Sequence, residues 1–208
     1  PPSFYRELVD FAKLNDIIIL HDNAYSELVF DGHTCGSFLH TNGAKDVGIE
    51  FNSLSKTYGL AGARIGFALG NSEIISKLKS LKSNLDYGMF LPIQQAAIAA
   101  LNGPQDCVTS TRLAYQNRRD ALVDGLNHIG WKISKPGATM FIWAKIPENF
   151  SDSTTFTKKL FAKTGVLVTP GIAFGSAGEG HVRLALVQDE NTLKKAVAQI
   201  AQSGILHK

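Results

Sequence analysis

Residues 53–67 read SLSKTYGLAGARIGF, in which a lysine follows a predicted strand and precedes a glycine-rich turn. A lysine at the end of a strand can form a Schiff base with an aldehyde cofactor. The hydroxyls of Ser53 and Ser55 and the guanidinium of Arg64 lie close to Lys56 in the sequence. Together they can bind a phosphate, because a hydroxyl donates one hydrogen bond and a guanidinium donates two as a fork. The stretch therefore predicts a reactive lysine beside a phosphate-binding group.

A second polar motif, HDNAY at residues 21–25, follows an apolar run at residues 17–20 that is too short for a helix. Such a run is typical of a strand that is buried on both faces. A carboxylate at the carboxyl end of a parallel strand lies where α/β sheets bind ligands. Asp22 is therefore a candidate partner for a protonated pyridine nitrogen. Tyr25, three residues later, is a candidate hydrogen-bond donor to a phenolate oxygen.

The pattern of apolar residues predicts an α/β layered sheet followed by a smaller α+β module. The first part has a predicted helix that Ser3 caps and that runs to about residue 13, strands at 17–20, 47–52 and 63–69, and a helix at 72–82. A helix that Pro92 opens and a long helix over about 106–129 come next. The second part has predicted strands at 131–134, 139–144, 165–169 and 182–187 and helices at 153–163 and 190–202. We therefore predict a large-domain segment at 1–105, a connecting long helix at 106–130 and a small C-terminal domain at 131–208.

Composition and charge narrow the classes of function. The 208 residues are 44% hydrophobic and 19% charged, and the net charge of +3 comes from scattered lysines rather than a basic stripe, so we expect no nucleic-acid partner. No apolar run approaches the length of a membrane span and the N-terminal residues lack a signal-peptide pattern, so we expect no membrane partner. Two cysteines without CxxC spacing indicate a reducing cytoplasm. The six histidines show no metal-ligand spacing, so we expect no metal site.

Taken together, the two motifs resemble those of class I/II aminotransferases, which are fold-type I pyridoxal-phosphate enzymes. The family pattern is Asp-x-x-Tyr after one strand, then Ser-x-Ser-Lys with an arginine eight residues past the lysine, and this sequence matches it. Two later segments, VTPGIAFG at 168–175 and GHVRLAL at 180–186, resemble the small-domain loop and the strand that carries the family's carboxylate-binding arginine. DNAYSELVFDG at 22–32 is most similar to the branch that contains LL-diaminopimelate and aspartate-type aminotransferases.

The resemblance implies transamination between an amino acid and a 2-oxo acid, with pyridoxal 5'-phosphate as cofactor. By their positions in the family motifs, Lys56 is the Schiff-base and proton-transfer lysine and Arg183 binds the substrate α-carboxylate. The expected cofactor-binding residues are Asp22, Tyr25, Ser53, Ser55, Lys56 and Arg64. The resemblance also implies a large domain with a mostly parallel sheet and a homodimer. The chain is expected to be the C-terminal portion of a family member, because the family's N-terminal motifs are not found in it.

Structural alternatives remain open for most of these residues. Asp22 can be a turn or cap residue, and Arg64 and Arg183 can be ion-pair residues. Ser53 and Ser55 can both be turn formers, and of the two we favour Ser55 as a phosphate ligand. Two other functions also remain open. One is a fold-type I enzyme that cleaves a C–S bond by β-elimination, with the same cofactor residues, and the other is a folded fragment without catalytic activity.

Overall fold

The computed structural model describes residues 2–206. The chain divides into two compact units, Pro1–Thr111 and Arg112–Lys208. The boundary falls inside the long helix that the sequence predicts, which begins at Asp106 and ends at His128. The C-terminal part of this helix contributes Leu122, Val123 and Leu126 to the core of the second unit.

The first unit is built from short strands that alternate with helices, as the sequence predicts. Its elements, in chain order, are α1 (Pro2–Asn15), β1 (Ile19–Asp22), α2 (Ala44–Val47), β2 (Gly48–Ser53), α3 (Leu54–Thr57), β3 (Gly66–Gly70), α4 (Ser72–Leu85) and α5 (Leu91–Asn102), before α6 (Asp106–His128). In the described residues β1 and β2 run parallel, and β2 and β3 run antiparallel.

The strand directions bring three loops to one end of this sheet. Parallel β1 and β2 both end there: Asp22, the last residue of β1, pairs with Phe51, two residues before the end of β2. Antiparallel β3 begins at the same end, where Gly66 pairs with Ser53. The segments that follow β1 and β2 and the segment that precedes β3 therefore emerge side by side. These are the segments that carry the polar motifs of the sequence.

The first predicted strand is partly wrong in position and wrong in burial. Asp16 adopts the left-handed region with φ of 53°, and the Ile17 amide still bonds the Ala12 carbonyl at the helix end, so the chain becomes extended only from Ile19. Leu20 is 64% exposed, because in the described residues β1 has only β2 as a neighbour and its outer face is uncovered. The apolar run at 17–20 is therefore not buried on both faces.

Two other predicted boundaries in this unit are corrected. The first described helix begins at Pro2, so Ser3 lies inside its first turn and is not its cap, in keeping with the preference of proline for the first helical position. The third strand begins at Gly66 instead of Ala63, because Ala61–Ala63 form a 3₁₀ turn and Arg64 adopts a left-handed conformation.

The second unit is an α+β module around one apolar core. Its elements after α6 are β4 (Phe141–Lys145), α7 (Ser153–Thr164), β5 (Thr169–Pro170), β6 (His181–Ala185) and α8 (Glu190–Gln202). The antiparallel sheet has the order β4-β6-β5. One face of it presents Ile142, Ala144, Val182 and Leu184 to the core, where helices α6, α7 and α8 pack.

Two strands predicted here do not form as expected. Residues 131–134 form no strand, and the side chain of Asn127 instead satisfies the backbone of Ile133. Its Oδ1 accepts from the Ile133 amide at 2.8 Å, and its Nδ2 donates to the Ile133 carbonyl at 2.9 Å. The strand expected at 165–169 shrinks to Thr169–Pro170, since Gly165 is left-handed and caps α7 and the Thr164 hydroxyl accepts from the Val166 amide.

None of the described helices combines the length and apolar character that crossing a bilayer requires. Within residues 2–206 no group of three or more His, Cys, Asp or Glu side chains is arranged to hold a metal ion. Both cysteines, Cys35 and Cys107, are exposed thiols outside any disulfide.

Candidate active site

The turn after β1 carries Asp22 and Tyr25. Asp22 is exposed, and its Oδ1 accepts a hydrogen bond from the Ala24 amide at 3.3 Å, as in a turn residue. The Asn23 amide bonds the Phe51 carbonyl at 2.8 Å, which continues the pairing of β1 with β2 past the end of the strand. Tyr25 lies near the lysine of the neighbouring loop: the Lys56 Nζ is 6.0 Å from the centre of its ring. The structure therefore brings Tyr25 and Lys56 together.

The single-turn helix α3 carries Lys56 directly after β2. Ser53 is its N-cap: the hydroxyl oxygen accepts from the Ser55 amide at 3.1 Å. Ser53 thus has the turn-forming role that the sequence left open, although a capping hydroxyl keeps its own hydrogen to donate. Across the described residues no hydrogen bond involves the Ser55 hydroxyl, which leaves it available to a ligand. Lys56 is half-buried.

Arg64 stands at the start of the third segment. Its backbone is left-handed with φ of 53°, which is uncommon for a residue that has a Cβ. The Leu54 amide bonds the Ile65 carbonyl at 3.3 Å, so the turn that carries Arg64 packs against α3. Arg64 is exposed, and its Nη1 donates a hydrogen bond to the Ala61 carbonyl at 3.0 Å. Within residues 2–206 Arg64 forms no ion pair, which goes against the ion-pair role that the sequence left open.

Glu50, in the middle of β2, organises the base of this site and was not singled out from the sequence. Only 3% of it is exposed. Its carboxylate accepts hydrogen bonds from Asn23 Nδ2 at 3.1 Å, Asn52 Nδ2 at 2.9 Å, Ser37 Oγ at 2.8 Å and the Phe38 amide at 3.0 Å, and it pairs with His21 Nδ1 at 2.9 Å. A buried anion is stable only when it is surrounded by donors in this way.

The same contacts determine the protonation of Glu50. Burial by itself raises the pKa of this carboxyl, but the hydrogen bonds from Asn23, Ser37, His21 and Asn52 outweigh it and lower the pKa to about 2. The lowered pKa keeps Glu50 ionised at neutral pH beneath the Asp22 turn. A glutamate between apolar neighbours in a predicted strand was the available signal, because a charge in such a strand needs partners.

Glu50 also connects the two motifs. Asn23 lies in the Asp22 turn and Asn52 precedes Ser53, and both amides donate to Glu50 Oε1. The Ser26 hydroxyl adds a bond to Asn52 Oδ1 at 3.4 Å. The turn that carries Asp22 and Tyr25 is therefore tied by side chains to the strand end that leads to Lys56.

Arg183 lies on β6 in the second unit, and its side chain is half-buried. Its guanidinium carbon is 4.3 Å from the ring centre of Phe141 and 4.6 Å from that of Phe174. Over the described residues 112–206 no ion pair or hydrogen bond of its side chain is present, which goes against the structural ion pair that the sequence left open.

The groups at the end of the first sheet fit the cofactor that the sequence resemblance implies. Pyridoxal phosphate offers an aldehyde, a phenolate, a protonated ring nitrogen and a phosphate. This end of the sheet offers an amine on Lys56, a phenol on Tyr25, a carboxylate on Asp22, and hydroxyl and guanidinium donors on Ser53, Ser55 and Arg64. Each group of the cofactor thus has a chemically matched partner, which makes these residues its candidate ligands.

Comparison with known proteins places the chain in a family. The family model described as aminotransferase class I and II matches residues 1–200. An LL-diaminopimelate aminotransferase of Halothermothrix orenii is 48% identical over 208 residues, which are 100% of this chain and 53% of the relative. The glutamate-pyruvate aminotransferase AlaC of Escherichia coli is 45% identical over 200 residues, 95% of this chain and 48% of the relative. The chain spans about half the length of the curated relatives it matches.

Solved structures agree with the sequence comparison. Substrate-bound BacF of Bacillus subtilis superposes with a TM-score of 0.93 at 39% identity, over 97% of this chain and 51% of that one. An aminotransferase of Staphylococcus aureus gives a TM-score of 0.93 at 32% identity, over 100% of this chain and 55% of that one. These matches confirm the predicted fold class, part of a fold-type I large domain followed by a small α+β domain. The chain belongs to the class I and II aminotransferase family.

Proposed function

We propose that this chain contributes the lysine-bearing side of a pyridoxal-phosphate site in an enzyme that transfers an amino group between an amino acid and a 2-oxo acid. The observation that carries the proposal is the convergence of Lys56, Tyr25 and Asp22 at one end of the first sheet, with Arg64 and two serine hydroxyls beside them. Membership in the aminotransferase family supports it.

The proposed cofactor residues divide by the group they bind. Ser55 and Arg64 hold the phosphate, with Ser53 adding its hydroxyl hydrogen while it caps α3. Asp22 holds a proton on the ring nitrogen, and the Tyr25 hydroxyl donates to the phenolate oxygen. When bound, the cofactor supplies an aldehyde that condenses with amines and a ring that withdraws electrons from the attached carbon.

Lys56 and Arg183 have the roles toward substrate in this proposal. Lys56 holds the cofactor in the resting enzyme, and its amine then moves a proton at the substrate α-carbon, as general base and then as acid. Lys56 is half-buried, and its amine lies 6.0 Å from the centre of the Tyr25 ring, which supports this role. Arg183 binds the substrate α-carboxylate through two parallel hydrogen bonds and so orients the α-carbon.

The relatives suggest the substrate class and the assembly. Their names cover LL-diaminopimelate and the glutamate-pyruvate pair, so amino acids with small or carboxylate-bearing side chains are the proposed donors. We further propose that the enzyme works as a homodimer, as the family resemblance implies, and that it resides in the cytoplasm, where its two exposed thiols stay reduced.

Reductive labelling of the lysine tests the proposal. In the full-length protein that contains this chain, borohydride reduction with pyridoxal phosphate present should attach the cofactor to Lys56, as read by peptide mapping. Lys56→Arg should lose the label and the activity while keeping the charge. A label on another lysine contradicts the assignment.

Product analysis separates the reaction classes. A transaminase should release a 2-oxo acid in step with amination of the acceptor and without free ammonia. Ammonia released with pyruvate from a cysteine conjugate would instead support C–S bond cleavage.

A further inference from the structure

The guanidinium of Arg183 contacts two aromatic rings. Its central carbon is 4.3 Å from the ring centre of Phe141 and 4.6 Å from that of Phe174. Both distances are inside the roughly 6 Å range of cation–π attraction. Phe141 begins β4, whereas Phe174 comes from the 3₁₀ turn Gly171–Phe174 that precedes β6. Two separate elements thus contribute one ring each.

The register of the sheet explains why these groups meet. Trp143 of β4 and Thr169 of β5 are both paired with Arg183, so its side chain leaves the face of the sheet opposite to the core. Phe141 is two residues from Trp143 and therefore projects from the same face. The core face of the sheet carries aliphatic side chains, whereas the outer face carries the Arg183 guanidinium with aromatic side chains beside it.

Phe174 is itself held in place. Its ring meets Trp143 edge to face at 5.5 Å, and Trp143 stacks on His181 at 5.5 Å with an interplanar angle of 11°. The turn that carries Phe174 is fixed by a close backbone approach, since a Cβ on Gly171 would lie 1.9 Å from the Gly178 carbonyl oxygen. The turn that carries Phe174 therefore packs directly against the backbone of the turn that follows it.

We propose that Phe141 and Phe174 are positioning residues that clamp the Arg183 guanidinium, so that its N–H edge is pre-oriented for a carboxylate. Contacts with two rings restrict the directions in which the guanidinium can turn, and in this proposal its N–H groups stay open to a hydrogen-bond acceptor. No acidic side chain in residues 112–206 occupies that edge. The inference rests on the proposed function, because it takes Arg183 as the carboxylate-binding residue.

A long side chain loses conformational entropy when a ligand orders it. The clamp orders the Arg183 side chain before binding, so binding loses less entropy and is stronger. It also keeps the arginine in place without an acidic partner, which would compete with the substrate carboxylate. Phe→Leu keeps most of the apolar volume and removes the π face, whereas Phe→Tyr keeps the ring. The pair of substitutions therefore separates the cation–π contact from simple packing.

The test uses the full-length holoenzyme with Phe141→Leu, Phe174→Leu and the matching tyrosine variants. Each leucine variant should raise the KM for the amino acid by about fivefold, the size of a typical exposed cation–π contact. The kcat should change less, and the tyrosine variants should stay near the parent enzyme.

Phe161→Leu is the matched control, since Phe161 is 53% exposed against 49% for Phe174 and makes no such contact with an arginine in the described residues. Equal effects of leucine and tyrosine, or an unchanged KM in the leucine variants, would overturn the clamp.

A binding measurement and a double-mutant cycle complete the design. The calorimetric affinity for propionate, an unreactive carboxylate, should fall in parallel with 1/KM. In an Arg183→Gln background Phe174→Leu should add little further loss, because the cation that the ring contacts is then absent. If Arg183→Lys alone leaves KM unchanged, the carboxylate role in the proposed function fails and the clamp fails with it. If Arg183→Lys raises KM and the phenylalanine variants do not, only the clamp is wrong. The borohydride label on Lys56 reports the cofactor part of the proposed function independently.

Discussion

Asp22 combines an exposed position with a single weak hydrogen bond, so its charge can be removed with little effect on packing. The Ala24 amide reaches its Oδ1 at 3.3 Å, and an asparagine oxygen can accept the same bond. We therefore expect Asp22→Asn to change the free energy of unfolding by no more than about 0.5 kcal/mol. If Asp22 holds the proton on the cofactor ring, kcat should fall by about a hundredfold or more, as for other deleted electrostatic groups in active sites. Normal turnover in the full-length variant would remove Asp22 from the site, and Glu27→Gln, an exposed carboxylate in the same turn, is the control.

Glu50 should make the free energy of unfolding of the first unit depend on pH in the acid range. Its pKa is lowered from 4.5 to about 2, so in the folded state it stays ionised at a pH where it is protonated in the unfolded chain. The stabilisation that the ionised Glu50 gives the folded state is therefore complete above about pH 5, and it is lost as the pH falls toward 2. Glu50→Gln should be less stable than the parent protein at pH 7, and this difference should shrink toward zero by pH 2. A difference that is constant with pH, measured by urea unfolding, would contradict the ionised Glu50.

At the scale of elements, Asn127 replaces a strand partner. Its amide makes two bonds to the backbone of Ile133, at 2.8 and 2.9 Å, and so satisfies a segment that has no neighbouring strand in the described residues. Asn127→Ala leaves a partly buried amide and carbonyl without partners, and we expect a loss of about 2 kcal/mol in the free energy of unfolding. Asn191→Ala, at an exposed helix position, should cost much less. Equal losses in the two variants, followed by urea denaturation, would show that Asn127 has no such role.

At the scale of the whole molecule, the first sheet leaves apolar surface and strand edges open in the described residues. Leu20 is 64% exposed on β1, and β1 has only β2 as its neighbour. Open edges with apolar side chains favour association between chains. The 208-residue chain by itself should therefore bind a hydrophobic dye and sediment with a concentration-dependent mass. Leu20→Lys should reduce both signals, whereas Leu113→Lys, on a helix, should not; a monodisperse monomer at all concentrations would contradict this prediction.

Local sequence was enough to predict the class of fold, and it proposed the chemistry of the first two motifs. The alternation of helices with short apolar runs predicted β2 to within a residue and most helices closely, because such elements follow from the spacing of apolar residues. The family and its fold are confirmed by the comparisons. The individual roles of Lys56, Asp22, Tyr25, Ser53, Ser55, Arg64 and Arg183 stay predictions, which the experiments above address.

Contacts between residues far apart in the chain were decided by the tertiary structure. The Glu50 carboxylate collects donors from residues 21 to 52, the Arg183 guanidinium meets a ring 42 positions earlier, and Asn127 takes the place of a strand. Spacing patterns report which face of an element is apolar, but not which polar group on another element it will meet. The physical reason is that a buried charge or an unpaired amide takes whichever partner the folded backbone brings within hydrogen-bond distance, and only the packed chain sets that distance.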